Sequence, residues 1–256
     1  MIDESVRLYA EFAANYLPDL FNYVVPILNG NKELGSGVLV NWQGRHLVAT
    51  ARHCIENKPR VFRPTSRLEQ NKNVTTHQLR ILRTEWHDTL DIGYLETDDP
   101  DAAELGADQL CNDRIADGMA HIVGFPTIMA RVDWPNRNIS ICGGSFSTTL
   151  VEETDDFLKF DYPKQGSRYD PATGGWRPST FPETPHGFSG GGCFGVVSGA
   201  AGSIRTVAYK LLGIQASWSS DGRWVKVVPI KHLSDLLACC GHRKRSRADG
   251  DRCTEK

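Results

Sequence analysis

From residue 185 the chain reads Pro185-His186-Gly187-Phe188-Ser189-Gly190-Gly191-Gly192, a serine with glycines on both sides. Glycine allows positive φ and a close approach to another molecule, so this pattern holds one hydroxyl out on a tight turn. Such a display is typical of a nucleophile in acyl transfer. The simpler interpretation is a glycine-rich turn between two strands, and the stretch alone does not decide between the two.

Two further polar residues upstream favour the catalytic interpretation. His53 ends an apolar, β-leaning run, and Asp91 lies inside an otherwise apolar, strand-like segment. The chain therefore presents His53, Asp91 and Ser189 in that order. Of three known triad architectures with the same geometry, one runs His, Asp, Ser along its chain.

Three motifs now carry a resemblance. Residues 50–54 read Thr-Ala-Arg-His-Cys, residues 91–95 read Asp-Ile-Gly-Tyr-Leu, and residues 187–191 read Gly-Phe-Ser-Gly-Gly. They resemble the Thr-Ala-x-His-Cys, Asp-Ile-Ala-x-Leu and Gly-x-Ser-Gly-Gly motifs of the chymotrypsin-like (trypsin-like) serine peptidases, and the chain looks like a cytoplasmic microbial type. The resemblance extends from about Phe21 to about Cys240.

The resemblance implies the fold and the catalytic roles. The fold would be all-β, with two antiparallel six-stranded β-barrels and the catalytic groups in the cleft between them. His53 would be the general base, and Asp91 would hold its tautomer. The backbone N–H groups of Gly187 and Ser189 would form the oxyanion hole. Asp88 is the other nearby carboxylate, but Asp91 is preferred because apolar neighbours flank it in a run expected to be buried.

The sequence also departs from the family. Secreted trypsins carry an aspartate directly before the serine, which pairs with a new amino terminus after zymogen cleavage, whereas this chain has Phe188. We therefore expect an oxyanion hole that needs no N-terminal processing. Cys54 follows the histidine as in the family, but its usual partner cysteine is missing where Leu34 and Gly35 stand. That disulfide is therefore expected to be absent.

Four residues are candidates for contact with substrate. Glu183 lies six residues before Ser189, where trypsins place the acidic residue of the primary pocket, and the alternative is a solvated loop glutamate. His186 stands beside the oxyanion turn. Gln215 and Trp218 lie in a segment expected to form the pocket wall, where Trp218 would narrow the pocket.

The chain divides into four predicted parts. Residues 1–20 have helical spacing of apolar side chains and predict an N-terminal helix. Residues 21–117, with His53 and Asp91, predict the first barrel. Residues 118–240 predict the second barrel, with Ser189, and a closing C-terminal helix over Pro229–Cys240. Residues 241–256 predict a basic, disordered tail.

Short β-like runs separated by turn residues fill both barrel regions, and one of them is predicted over Gln78–Thr84. The polar stretch Pro163–Pro185 predicts a long loop that shapes the substrate cleft.

Composition excludes several function classes. Seven cysteines without regular spacing and no apparent signal peptide predict free thiols in a reducing, cytoplasmic setting. No run of apolar residues is long enough for a membrane span. A net charge of −2 argues against a general nucleic-acid binder. The histidines lack metal-ligand spacing, so no metal or other cofactor is expected.

The sequence thus predicts a serine endopeptidase that cleaves protein or peptide substrates through an acyl-enzyme. A catalytically silent module that binds extended polypeptide in the same cleft is the alternative. A regulatory protein partner is a further hypothesis, based on the absence of secretion and zymogen features.

Overall fold

The structure of the protein is a computed structural model. It describes residues 19–29, 33–64, 76–99, 103–111, 118–127, 130–133, 138–141, 143–162, 165–170, 175–180, 185–201, 204–219, 221 and 223–238. The helix predicted over residues 1–20 falls almost entirely outside these residues, as does the predicted tail over residues 241–256.

The first half of the chain forms one antiparallel sheet. The strands are β1 (Val24–Asn29), β2 (Glu33–Trp42), β3 (Arg45–Thr50), β4 (Arg60–Pro64), β5 (Thr76–Gln78), β6 (Ile81–Trp86) and β7 (Gly93–Thr97). These seven strands of the described residues lie in the order β5-β4-β1-β2-β3-β7-β6.

The first sheet has one strand more than predicted, because the single strand expected over Gln78–Thr84 is split. The chain bends at Leu79, whose side chain is buried and whose N–H donates to the carbonyl of Val61 at 2.9 Å. Residues before the bend pair with β4, and residues after it pair with β7. Since β5 and β6 become the two edges, the sheet is an open half-barrel among the described residues.

The strands of the second half are β8 (Met119–Gly124), β9 (Ala130–Asp133), β10 (Asn138–Ile141), β11 (Gly144–Glu153), β12 (Leu158–Asp161), β13 (Gln165–Asp170), β14 (Gly175–Thr180), β15 (Gly192–Ala201), β16 (Ile204–Ser219) and β17 (Trp224–Pro229). Six of them close into the predicted six-stranded barrel, in the order β11-β12-β17-β16-β15-β8. A two-stranded hairpin, β9–β10, follows β8, and a second, β13–β14, occupies part of the stretch predicted as a long loop over Pro163–Pro185.

A closing helix, α1, covers residues 231–238, within the predicted range. Leu233 and Leu237 of α1 are buried in the apolar cluster that joins the two halves. Among the described residues, no helix has the length and apolar character needed to cross a membrane.

The apolar runs of the central strands fill two cores at once. In β2, Val38 and Val40 point into the cluster between the two halves, whereas Leu39 points into the interior of the first sheet. Tyr94 and Leu95 of β7 divide in the same way. Successive side chains of a strand face opposite sides, so a strand buried on both faces needs a continuous apolar run. This two-sided burial fixes the sheet against the barrel and so positions the loops between them.

Candidate active site

The three candidate catalytic residues lie at strand ends. His53 belongs to a short 3-10 turn, Arg52–Cys54, that directly follows β3. Asp91 lies in the turn between β6 and β7, and Ser189 lies in the turn before β15. A strand end places a polar side chain at the margin of the core while the apolar strand behind it stays buried.

His53 and Asp91 form a paired contact. The imidazole Nδ1 of His53 lies 2.8 Å from Asp91 Oδ2, and the backbone N–H of His53 donates to Asp91 Oδ1 at 3.1 Å. Asp91 therefore fixes both the ring and the backbone of the histidine. With Nδ1 committed to the carboxylate, Nε2 is the nitrogen left to accept a proton in the neutral ring. Asp88, the other carboxylate considered, is exposed.

The pKa of His53 shifts upward in this setting. The hydrogen bond to Asp91 is the main cause, the adjacent Cys54 adds to it, and burial opposes both, with the net result that the pKa rises from 6.5 to about 10. A carboxylate stabilises the imidazolium, which makes the ring a stronger base once the proton has left. The side chains of His53 and Asp91 keep 47% and 35% of their surface exposed, so the pair is open to solvent and to a bound molecule.

Backbone contacts bring the serine turn to the histidine. The carbonyl oxygen of Ser189 accepts a hydrogen bond from the N–H of Ser36 at 2.7 Å. The thiol of Cys54, the residue next to His53, donates to the same oxygen at 3.4 Å. Ser189 of the second half thus lies against the His53 turn of the first.

Hydrogen bonds fix the peptide planes that directly precede Gly187 and Ser189. The carbonyl of His186 accepts the N–H of Thr127 at 2.8 Å, and the carbonyl of Phe188 accepts the N–H of Gly191 at 2.7 Å. Each carbonyl shares its peptide plane with the next N–H, so the N–H groups of Gly187 and Ser189 are fixed in direction. Neither N–H donates to an acceptor in the part of the chain that the structure describes. The turn therefore offers two preorganised donors that have no acceptor among the described residues.

Glycine at 187 is required by geometry. Gly187 has a φ of +92°, which disfavours other residues. A Cβ there would collide with the carbonyl of Phe125 and the N–H of Thr127. The conformation that frees the Gly187 N–H therefore depends on the absence of a side chain.

Ser36 is a site residue that the sequence analysis did not identify. Its hydroxyl is buried, donates to the carbonyl of Gly187 at 2.7 Å and accepts the N–H of Phe125 at 2.8 Å. Thr50 donates to the Ser36 carbonyl at 2.6 Å and so holds the residue in place. The available signal was its sequence context, because Gly35-Ser36-Gly37 is a second glycine-flanked serine.

Phe188 occupies the position directly before the serine, where secreted trypsins carry an aspartate. Its side chain is 3% exposed and packs edge-to-face against Phe146, with ring centroids 5.4 Å apart. Burying a phenylalanine stabilises its position by about 1.5–3 kcal/mol. The ring therefore holds the turn from inside the second barrel, while Ser36 holds it from the first sheet.

The four candidate substrate contacts are placed differently. Glu183 lies outside the described residues. His186 is exposed, and its ring meets the half-buried Trp218 edge-on at 5.5 Å beside the serine turn. Gln215 is fully buried and leaves no side-chain surface for a substrate. Its backbone instead supports the turn, accepting the N–H of Gly190 at 2.7 Å and donating to Gly191 at 2.9 Å.

Cys54 is a free, buried thiol. A Cβ built on Gly35 would lie 2.6 Å from its Sγ, so Gly35 occupies the position from which a partner cysteine would reach it.

Among the described residues, no group of three or more His, Cys, Asp and Glu side chains could hold a metal ion.

Comparisons with known proteins agree with this architecture. The family model of the trypsin-like peptidase domain matches residues 35–200. No curated protein matches the chain.

Solved structures also resemble the chain. The serine endoprotease from Yersinia pestis aligns with a TM-score of 0.51 and 13% identity, over 87% of this chain and 65% of that one. The chain thus spans about two thirds of that protein's length. The structure of HBP aligns with a TM-score of 0.55 and 13% identity, over 86% of this chain and 91% of that one.

At such identities these two likenesses show the fold alone, a chymotrypsin-like arrangement that here consists of a half-barrel sheet and a closed barrel. The family match is independent of them and covers more than half of the chain. The chain therefore belongs to the trypsin-like (chymotrypsin-like) serine peptidase family.

Proposed function

We propose that the protein is a serine endopeptidase that cleaves peptide bonds through an acyl-enzyme on Ser189. His53 acts as general base and acid, Asp91 orients it, and the N–H groups of Gly187 and Ser189 bind the oxyanion. The observation that carries the proposal is the fixed serine turn beside a hydrogen-bonded His–Asp pair, with two N–H donors that find no acceptor in the described part of the chain. A binding module would not need preorganised donors of this kind.

The proposed chemistry follows from these positions. Ser189 Oγ attacks the carbonyl carbon of the substrate while His53 Nε2 takes the hydroxyl proton, and the carbonyl electron pair moves onto oxygen. The two N–H donors stabilise that negative charge, each contributing on the order of 10²–10³ in rate. As the intermediate collapses, the C–N bond breaks and His53 protonates the leaving amine. Water then attacks the carbonyl carbon of the acyl-enzyme while His53 takes its proton, and as the bond to Ser189 Oγ breaks, His53 returns the proton to that oxygen.

The turn gives a physical reason for activity without N-terminal processing. In this chain the buried ring of Phe188 and the hydroxyl of Ser36 hold the turn. Neither contact uses a free amino terminus. We therefore propose that the protein as synthesised has a formed oxyanion hole, and full activity confined to a truncated form would contradict this.

The cellular setting is part of the proposal. Cys54 and Cys193, two buried thiols that form no disulfide within the described part of the chain, support a reducing, cytoplasmic compartment. On the sequence alone, we propose that the chain divides into residues 21–117 and 118–240. We also propose, on the same basis, that a protein partner controls its activity. A labelling rate measured with and without cell lysate would test such control.

Hydrolysis of fluorescein-labelled casein tests the catalytic assignment. The wild-type protein should release fluorescent peptides, and Ser189→Ala and His53→Ala should each lose at least about 10⁴-fold in rate. Each variant should keep the wild-type circular dichroism spectrum. Retained hydrolysis by folded Ser189→Ala protein would refute the nucleophile assignment.

A further inference from the structure

The turn that carries Asp91 is closed by a histidine side chain. His87 directly follows β6. Its N–H donates to the carbonyl of Ile92 at 2.9 Å, which closes the turn at its base. Its ring Nδ1 accepts the N–H of Thr89 at 3.2 Å and that of Leu90 at 3.1 Å. One side chain therefore binds the backbone of the two residues directly before Asp91.

The hydrogen bonds of the turn determine which ring nitrogen of His87 carries no proton. Two partners of Nδ1 are backbone N–H groups, which only donate, so Nδ1 must be the unprotonated acceptor, and the hydroxyl of Thr89, 3.4 Å away, can then also donate to it. A side chain that accepts from the second and third N–H groups after it performs the task of an asparagine or aspartate in a turn. Asp88 and Thr89 are exposed, whereas Leu90 is half-buried against the core, so the hydrogen bonds to the His87 ring hold the exposed side of the turn.

The surroundings of His87 connect the turn to the rest of the molecule. Its ring meets that of His232 on α1 edge-on, with centroids 6.2 Å apart. The guanidinium of Arg52, beside His53, donates to the carbonyl of Asp88 at 2.9 Å. The groups that face the turn therefore include an imidazole from α1 and a guanidinium from the histidine turn.

We propose that His87 is a positioning residue that sets the carboxylate of Asp91 against His53 through its two hydrogen bonds to the turn. It touches neither substrate nor the reacting atoms. The inference rests on the proposed function, because it assigns His87 a role in the proposed triad. Without the Nδ1 acceptor the turn loosens, and the 2.8 Å contact between Asp91 and His53 is weakened.

Two substitutions separate hydrogen bonding from ring packing. In His87→Asn, the amide Oδ1 stands the same number of bonds from the backbone as Nδ1, so the acceptor is kept and the ring is lost. In His87→Phe, the ring is kept against His232 and the acceptor is lost. His87→Gln is a polar control, because its acceptor lies one bond too far away.

The main measurement is steady-state hydrolysis of labelled casein. We expect His87→Asn to retain kcat within about twofold and His87→Phe and His87→Gln to lose about tenfold, with KM unchanged. Equal activity of His87→Phe and wild type, or equal losses in His87→Asn and His87→Phe, would overturn the proposal.

A second measurement does not depend on activity. In folded Ser189→Ala protein, NMR titration should show the pKa of His53 moving toward 6.5 when His87→Phe is added, but not when His87→Asn is added. An unchanged pKa in the Phe variant would overturn the positioning role. Because this readout needs no catalysis, it separates a failure of this inference from a failure of the proposed peptidase activity.

Discussion

Ser36→Ala removes a buried hydroxyl that ties the first sheet to the oxyanion turn. The substitution leaves the carbonyl of Gly187 and the N–H of Phe125 in the interior without their partner. Each buried group left unpaired costs about 1–3 kcal/mol, so we expect the free energy of unfolding to fall by about 2–4 kcal/mol. Urea denaturation followed by tryptophan fluorescence measures this loss.

The same substitution should slow catalysis. Without the hydroxyl, the Gly187–Phe188 peptide keeps only the 3.1 Å hydrogen bond from the Phe188 N–H to the carbonyl of Pro185, so its orientation beside the donors is less restricted. The rate of labelling by a fluorophosphonate should therefore fall about ten- to a hundredfold. That second-order rate constant reports the active site without requiring a known substrate. It is measured on protein that is fully folded before the probe is added.

Ser234→Ala is a matched control. Ser234 Oγ on α1 is also buried, but the described residues give it no hydrogen-bond partner, so its removal should be neutral or slightly stabilising. The reasoning is refuted if Ser36→Ala and Ser234→Ala have the same stability and the same labelling rate. A loss of stability with an unchanged labelling rate would show that Ser36 holds the fold but not the oxyanion turn.

Three further predictions concern titration and cross-linking. The rate constant kcat/KM should rise with pH above neutrality, because His53 acts only after it loses a proton and Asp91 raises the pKa of His53. In Asp91→Asn, the midpoint of this pH profile should move down toward 6.5 and its plateau should fall about 10⁴-fold. Burial lowers the pKa of His121 to about 4, so between pH 7 and pH 4 the imidazole is protonated in the unfolded chain but stays largely neutral in the folded chain. The free energy of unfolding should therefore fall by about 3 kcal/mol from pH 7 to pH 4. Urea melts at several pH values should show a flatter slope in His121→Asn, and an unchanged slope would argue against this assignment. In Gly35→Cys, the new cysteine should form a disulfide with Cys54 and stabilise the oxidised over the reduced protein by about 3 kcal/mol. Thiol titration measures the bond and thermal melts measure the stabilisation. A number of free thiols that does not fall on oxidation would contradict the prediction.

The catalytic motifs could be predicted because they are local. His53 with its apolar run, and Ser189 with its glycines, each show their character within a few residues. The family resemblance that these motifs gave is confirmed by the family match over residues 35–200. The pairing of His53 with Asp91 follows from the same motifs, whereas the catalytic roles stay predictions.

The contacts that hold the site could not be predicted in this way. Ser36 binds Gly187 across 151 positions of sequence, and nothing in its neighbourhood shows which carbonyl its hydroxyl meets. His87 is one of eight histidines, and its role depends on the course of the turn after it. Both assignments require the path of the backbone, which a pattern of residue types does not contain.

The extra strand of the first sheet illustrates the same limit. The run from Gln78 to Thr84 has uniform β character, but the strand breaks where Leu79 turns to bury its side chain and bind the carbonyl of Val61. Tertiary pairing overrode local propensity at that point. The polar hairpin β13–β14 was missed for the opposite reason, since its glycines, prolines and serines favour a loop.

The central claim is that Ser189 is a nucleophile activated by His53 beside a formed oxyanion hole. The most direct test treats the folded, full-length protein with a fluorophosphonate at pH 8–9 and locates the adduct by mass spectrometry. We predict a single adduct on Ser189, no adduct in Ser189→Ala, and a labelling rate in His53→Ala reduced by at least about 10³-fold. An unlabelled wild-type protein, or an adduct on another serine that persists in Ser189→Ala, would contradict the claim.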